Sequence, residues 1–191
     1  MEKTASVRPG AANDGVDPVA FACERAEHLI RENAPLHEIL TCLVAAAESV
    51  SSSGAVASVL LLDRNGLLRN GASPSLPRDY LDAIDRLKPD AAVGTCASAA
   101  ATGRIVVTPS FLADDKWAEL RHLPLSLGFA GAWSMPIKSG QDGRVLGTFG
   151  TYYRDVREPS PREIEAVRTL AGAAARAVES PRELTASTTS V

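Results

Sequence analysis

The sequence contains few aromatic residues, few cysteines and no block of like charge. Aromatic residues make up 5% of the 191 residues, and the three cysteines are Cys23, Cys42 and Cys96. An odd number of cysteines without CxxC spacing predicts reduced thiols and excludes a disulfide framework and a cysteine-based zinc site. The net charge is −3. Without a lysine- or arginine-rich block, the sequence does not predict binding to nucleic acid or to an anionic membrane.

Long apolar runs are also missing. No stretch approaches the roughly eighteen consecutive apolar residues of a membrane-spanning helix. The N-terminal MEKTASVRPGAANDG lacks the apolar core of a signal peptide. We therefore expect a cytoplasmic protein. Apolar residues nevertheless make up 45% of the chain, which is ordinary for a globular domain with a core.

Turn and capping signals divide the chain into a domain and two tails. We predict a disordered tail over 1–16, a domain over 17–179 and a flexible tail over 180–191. The dipeptide Asp17-Pro18 starts a first helix, and a second helix follows Pro35. The segment SPRE at 160–163 combines a capping box with proline at the first helical position, and so starts a final helix.

Between these helices the pattern alternates short strands with short helices. Strands are predicted over 55–62, 67–70, 104–108, 129–138 and 144–154, with a short helix over 76–87. This order predicts an α+β fold. We expect a mostly antiparallel sheet of five to six strands, with the terminal helices on one face and short helices and loops on the other.

The segment AAVGTCASAAATGR at 91–104 contains no large apolar side chain. It predicts a short helix with Thr95 as N-cap and Gly103 as the C-terminal stop. Two interpretations remain open. Small side chains allow close packing of a helix on a sheet, and they also leave the helix N-terminus accessible to a ligand, whose negative charge the free backbone amides would favour.

Two longer segments carry a resemblance to a known family. VGTCASAAATGRIVVTPSFLADDKW and GFAGAWSMPIKSGQDGRVLGTFGTYYRDVREPSPRE resemble consecutive segments of GAF domains, which are ligand-sensing relatives of the PAS fold. The resemblance covers about residues 35–179. It implies a GAF/PAS-like fold in which the short helix edges a ligand pocket, but it does not identify the ligand.

On this basis we predict a pocket for a small molecule. A small anion such as nitrate or nitrite, or a small polar metabolite, would bind the first turn of the short helix, and two tryptophans would form the walls. No cofactor is expected. The predicted ligand-binding residues are Tyr80, Thr95, Cys96, Ala97, Ser98, Phe111, Trp117, Phe129, Trp133 and Ser134.

Other functions stay open at this stage. Cys96 lies near a helix N-terminus, where thiols become reactive, so the chain could be a redox enzyme resembling methionine sulfoxide reductases. Haem binding would need an axial ligand, for which His122 is the candidate. In a third interpretation, Phe111, Phe129 or Met135 fills the pocket and leaves a dimeric interaction module.

We expect no catalytic constellation, because neither a nucleophile–base pair nor a phosphate-binding loop is visible. The leading hypothesis is a stand-alone GAF sensor that signals through a partner such as a sensor histidine kinase. The alanine-rich final helix favours a homodimer formed through the terminal helices.

Overall fold

The structure, a computed structural model, describes residues 17–51 and 54–181. The predicted tail over 1–16, and the predicted tail over 180–191 beyond residue 181, lie outside the described residues. The helices are α1 (Pro18–Arg31), α2 (Leu36–Val50), α3 (Arg78–Ala83), α4 (Thr95–Thr102), α5 (His122–Ser126) and α6 (Pro161–Glu179). The strands are β1 (Val56–Leu62), β2 (Leu68–Ala72), β3 (Val106–Thr108), β4 (Gly131–Lys138) and β5 (Val145–Tyr153).

The strands form one antiparallel sheet in the order β2-β1-β5-β4-β3. Helices α2 and α6 pack on one face, and α1 packs on both of these helices. Helix α4 packs on the opposite face, against β4 and β5. The predicted α+β fold, with terminal helices on one face and the pocket elements on the other, is confirmed.

The helix-start signals act as predicted. The Asp17 side chain accepts a hydrogen bond from the Val19 amide, and Pro18 is the first helical residue of α1. The Ser160 and Glu163 side chains form both hydrogen bonds of a capping box at the start of α6. Gly103 ends α4 in the left-handed conformation, with φ 63°, which costs glycine little because it has no Cβ.

Helix α3 and strand β3 lose the largest share of their predicted length in the structure. Helix α3 covers 78–83 and not 76–87, because Pro77 is extended and Arg86 adopts a positive φ of 63°. Strand β3 covers 106–108 and not 104–108. Its pairing with β4 stops at Val106 opposite Ser134. Continuing that register would place Arg104 opposite Pro136, which has no N–H to donate.

The predicted N-cap of α4 was also wrong. Gly94, with φ 49° and ψ −174°, is the cap residue, and Thr95 is the first residue of the helix. This backbone conformation is open to glycine and strained for other residues. The Thr95 hydroxyl is therefore free to accept a hydrogen bond from Ser134 across the helix–sheet interface.

The alanines of α6 pack against other elements of the same chain. Ala166, Ala171, Ala173, Ala174, Ala175 and Ala177 are all buried, and the helix contacts α1, α2, β4 and β5. The largest exposed apolar side chain on the terminal helices is instead Phe21 of α1, which is 58% exposed. Among the described residues, no helix is both long and apolar enough to cross a membrane.

Candidate functional site

A small buried cavity lies between α4, the sheet and the loops that follow α3 and β3. Its volume is about 20 Å³, which is room for about one water molecule. It is lined by Leu60, Tyr80, Ile84, Leu87, Val93, Gly94, Thr95, Cys96, Ala97, Trp117, Leu120 and Tyr152. The lining is mostly apolar and aromatic with a few polar groups, as in small-molecule sites generally.

Helix α4 lies close to the sheet because both surfaces are built from small residues. The sheet row beneath it runs from Ser58 on β1 through Gly150 on β5 to Ser134 on β4. A Cβ at Gly150 would lie 3.0 Å from the Cys96 sulfur and 3.2 Å from the Ser58 hydroxyl. Contacts this tight leave little room for a Cβ at position 150, so close packing explains most of the small residues in this segment.

Cys96 is surrounded by hydroxyl groups. Its sulfur lies 3.2 Å from the Ser134 hydroxyl, which donates to the Thr95 hydroxyl at 2.9 Å. Because a serine hydroxyl has one proton, the thiol is the donor to Ser134 in this arrangement. Burial raises the pKa of the Cys96 thiol, and the hydroxyls of Ser134, Thr148 and Thr95 oppose that rise only in part. The thiol therefore stays protonated near neutral pH.

Trp117 covers the N-terminus of α4. It is the last residue of a 3₁₀ turn, Asp115–Trp117, whose cap Asp114 accepts hydrogen bonds from the Thr108 hydroxyl and the Lys116 amide. The Gly94 amide donates to the Lys116 carbonyl at 2.7 Å. A Cβ at Gly94 would lie 3.6 Å from the Trp117 ring.

The indole nitrogen of Trp117 is an unsatisfied donor. Trp117 is 5% exposed, and its Nε1 has no hydrogen-bond partner among the described residues. The start of α4 also has no side-chain cap, because its cap residue is Gly94. The first amides of a helix have no acceptor within the helix. Trp117 and the first residues of α4 line the same cavity, so two kinds of hydrogen-bond donor belong to its lining residues.

Other aromatic side chains support the lining. Phe111 packs on Trp117 with 4.4 Å between ring centroids. Phe129 packs on Tyr152 at 5.3 Å. The Tyr80 hydroxyl donates to that of Tyr152 at 3.1 Å, with the two rings edge to face.

The structure brings only part of the predicted site together. Tyr80, Thr95, Cys96, Ala97 and Trp117 line the cavity. The remaining predicted residues do not line it. Of these, Phe111 and Phe129 support lining rings, Ser134 contacts Cys96 and Thr95, and Ser98 is buried in α4.

Trp133 lies on the other face of the sheet, so the expectation that it forms a cavity wall is corrected. It belongs to the core under α2 and α6, and its indole N–H donates to the Tyr153 hydroxyl at 2.7 Å. Met135, two residues further along β4, lies in the same core and cannot fill the cavity. His122, the candidate haem ligand, is exposed and does not line the cavity.

The predicted site lacked several lining residues, namely Leu60, Ile84, Leu87, Val93, Gly94, Leu120 and Tyr152. Most are single leucine, isoleucine or valine side chains in loops, with no pattern that separates a cavity wall from ordinary core. Tyr152 alone carried a usable signal. It is two residues from Gly150 on β5, and residues two apart on a strand share a face.

Comparison with known proteins places this arrangement in a family. The GAF domain family matches residues 33–179. The chain belongs to the GAF domain family. A curated relative, the methyl sulfide methyltransferase-associated sensor of Methanosarcina acetivorans, is 37% identical over 151 residues. That alignment covers 78% of this chain and 15% of the relative, so the chain spans a small part of the relative's length.

Solved GAF-like structures share the fold at low identity. A domain assigned to a two-component sensor histidine kinase of Sinorhizobium meliloti is 22% identical with a TM-score of 0.62, covering 75% of this chain and 90% of that one. The reduced form of fRMsr of Staphylococcus aureus is 13% identical with a TM-score of 0.63, covering 86% of this chain and 97% of that one.

Proposed function

We propose that this GAF domain is a sensor that binds a small molecule in the cavity beneath α4 and passes the signal to a protein partner. The relative from M. acetivorans is named as a sensor, and the S. meliloti domain is assigned to a sensor histidine kinase. A kinase of that type is therefore the partner class we propose.

The observation that carries the proposal is the set of unsatisfied donors at one end of the cavity. The Trp117 indole N–H is buried without a partner among the described residues, beside the start of α4. A buried donor without an acceptor costs about 1–3 kcal/mol. A ligand that places an acceptor there would recover that cost and would also benefit from the helix N-terminus.

These donors favour a small anion or a polar metabolite that carries an acceptor group, such as nitrate or a carboxylate. The rest of the lining is aromatic and apolar, which suits a compact planar body. At about 20 Å³ the cavity has space for about one water. Binding of a larger molecule therefore requires the surrounding loops to separate.

Thermal melting tests the proposal against nitrate, nitrite, sulfate, phosphate, acetate and benzoate. At a hundredfold excess over the dissociation constant, a ligand of the native state adds about 2.7 kcal/mol, or about 5–10 °C for a domain of this size. In Trp117→Phe the shift should fall by at least about half, because the indole donor is lost while an aromatic ring remains at this position.

Trp133→Phe is the matched control. It removes the other buried indole, which is already paired with Tyr153 on the opposite face of the sheet. This variant should melt earlier than the wild type but keep the ligand shift. No shift with any compound would count against an acceptor-bearing ligand. A shift that survives in Trp117→Phe would place the ligand elsewhere.

We propose binding and not turnover, because the raised pKa of Cys96 disfavours the thiolate that thiol chemistry needs. The redox alternative is supported by the fold shared with fRMsr and by the position of Cys96 in the cavity. It predicts that peroxide oxidises the Cys96 thiol, that methionine sulfoxide transfers its oxygen to the same thiol to give a sulfenic acid and free methionine, and that Cys96→Ser releases no methionine. Absence of any peroxide-dependent mass change at Cys96 would remove that alternative.

A homodimer through the terminal helices stays part of the proposal, with Phe21 of α1 as the exposed apolar contact. The buried alanines of α6 cannot provide that contact. Light scattering at several concentrations should give a dimer for the wild type and a monomer for Phe21→Glu. A wild-type protein that remains monomeric at high concentration would contradict the dimer.

A further inference from the structure

A second, larger space adjoins the buried cavity. It is an open groove of about 460 Å³ on the surface, against about 20 Å³ inside. Leu87, Val93 and Leu120 line both spaces, and each is half-buried. These three apolar side chains, here called the partition, therefore separate the groove from Cys96, Trp117 and the other residues of the cavity.

One side of the partition is held by the sheet. The Leu68 amide of β2 donates to the Leu87 carbonyl at 2.9 Å, and the Arg86 amide donates back to the Leu68 carbonyl at 2.9 Å. These paired backbone hydrogen bonds extend the edge of the sheet. Leu87 is thereby fixed with respect to the strands.

The other side is held by short turns. The Val93 amide donates to Asp90 at 3.3 Å, and the Leu120 amide donates to Trp117 at 3.0 Å. Both hydrogen bonds close single turns. Between the two segments runs the hydrogen bond from the Gly94 amide to the Lys116 carbonyl, at 2.7 Å. Segments with local hydrogen bonds and half-buried side chains open at lower free energy than a sheet or a long helix.

We infer that the cavity is entered from this groove, through the partition, by movement of Val93 and Leu120 away from Leu87. The inference rests on the proposed function, in that the cavity is the ligand site, and it adds the route and the residues that control access. The three side chains are apolar, so they keep bulk water from the donors at the start of α4 while the site is empty. They also limit the size of the ligand that can pass.

Cys96 allows a test that needs no ligand. It is 8% exposed and lines a cavity of about 20 Å³, which is too small for the reagent, so we expect modification to require opening of the partition. Methyl methanethiosulfonate is the probe. The Cys96 thiolate attacks its divalent sulfur, a methyl disulfide forms and methanesulfinate leaves. The reaction is followed by mass spectrometry in a Cys23→Ser/Cys42→Ser background, which leaves Cys96 as the reacting thiol.

Leu120→Ala should raise the rate of Cys96 modification by about tenfold or more, because it removes most of one side of the partition. Val93→Ala should raise the rate to a smaller extent, and it serves if Leu120→Ala folds poorly. The matched control is Leu81→Ala. Leu81 is also half-buried and packs on the same core, but it faces a different groove, so its rate should stay within about twofold of the background protein.

The urea dependence of the rate separates local opening from global unfolding. Opening of the partition exposes little surface, so the rate should rise weakly with urea compared with the global unfolding equilibrium. Equal acceleration by Leu81→Ala, or no acceleration by either partition variant, would overturn the inference. A ligand-dependent melting shift, together with an unchanged rate of Cys96 modification in the partition variants, would refute the access route. It would not contradict the ligand site itself.

Discussion

Replacing Glu163 by glutamine should lower the free energy of unfolding at neutral pH and have a smaller effect at acidic pH. The Glu163 carboxylate is buried at the start of α6 and receives two hydrogen bonds from Arg157, at 2.7 and 2.9 Å. Ser160 adds two more, from its amide at 2.8 Å and its hydroxyl at 2.7 Å. The Tyr153 hydroxyl, which accepts from Trp133, donates at 3.1 Å.

The magnitude follows from the pKa. Burial alone would raise it, but the hydrogen bonds from Arg157 and Ser160 prevail and lower the pKa of Glu163 from 4.5 to about 2. Such a shift corresponds to about 3 kcal/mol when fully shielded from water. The Arg157 side chain is 20% exposed, so solvent screens the pair and we expect about 2 kcal/mol.

The sign follows from the lowered pKa. The folded state holds the proton of Glu163 less tightly than the unfolded state, so this stabilisation is complete above about pH 4.5. It is lost as the pH falls from about 4.5 to about 2. The free energy of unfolding, measured by urea denaturation, should therefore differ between wild type and Glu163→Gln by about 2 kcal/mol at pH 7. By pH 3 the difference should be less than about half of that.

Glu165→Gln is the matched control on the same helix. Glu165 pairs with Arg168 at the surface, so its loss should cost no more than about 0.5 kcal/mol at any pH. A difference between wild type and Glu163→Gln that stays constant from pH 7 to pH 3 would refute the reasoning. It would mean that the substitution acts through packing and not through the charge of the carboxylate.

Two further substitutions test the packing that positions the site, each by urea denaturation. Gly147→Ala should cost about 3 kcal/mol, because a Cβ there would lie 2.2 Å from the Leu60 carbonyl oxygen, whereas Gly140→Ala, with 4.0 Å to its nearest neighbour, should be nearly neutral. Asp114→Ala should cost about 2 kcal/mol, because it removes the helix cap and the acceptor of the Thr108 hydroxyl at 2.6 Å. Equal stability of the two glycine variants, or no loss of stability in Asp114→Ala, would contradict these contacts.

Local chemistry made much of the fold predictable. Asp17 with Pro18, the Ser160 capping box and Gly103 each act through a hydrogen bond or a backbone angle that depends on near neighbours. Such signals depend on a few consecutive residues. The end of β3 was not predictable in this way, because it depends on Pro136, which lies on another strand.

The candidate site was less predictable for a related reason. Strand β4 is buried on both faces, so alternation of apolar and polar residues could not show which side of the sheet Trp133 would occupy. Side-chain size distinguishes the two faces of β4 instead. Ala132 and Ser134 alternate with Trp133 and Met135, and the small residues lie under α4 while the large ones lie under α2 and α6.

The most direct test of the central claim is a titration of the ¹⁵N-labelled protein with the compound that gives the largest melting shift, followed by NMR. The account predicts the largest chemical-shift changes at the backbone amides of residues 95–98 and at the indole N–H of Trp117. The indole of Trp133, paired on the opposite face, should change little. Changes confined to α1 and α6, with none at Trp117, would contradict ligand binding beneath α4.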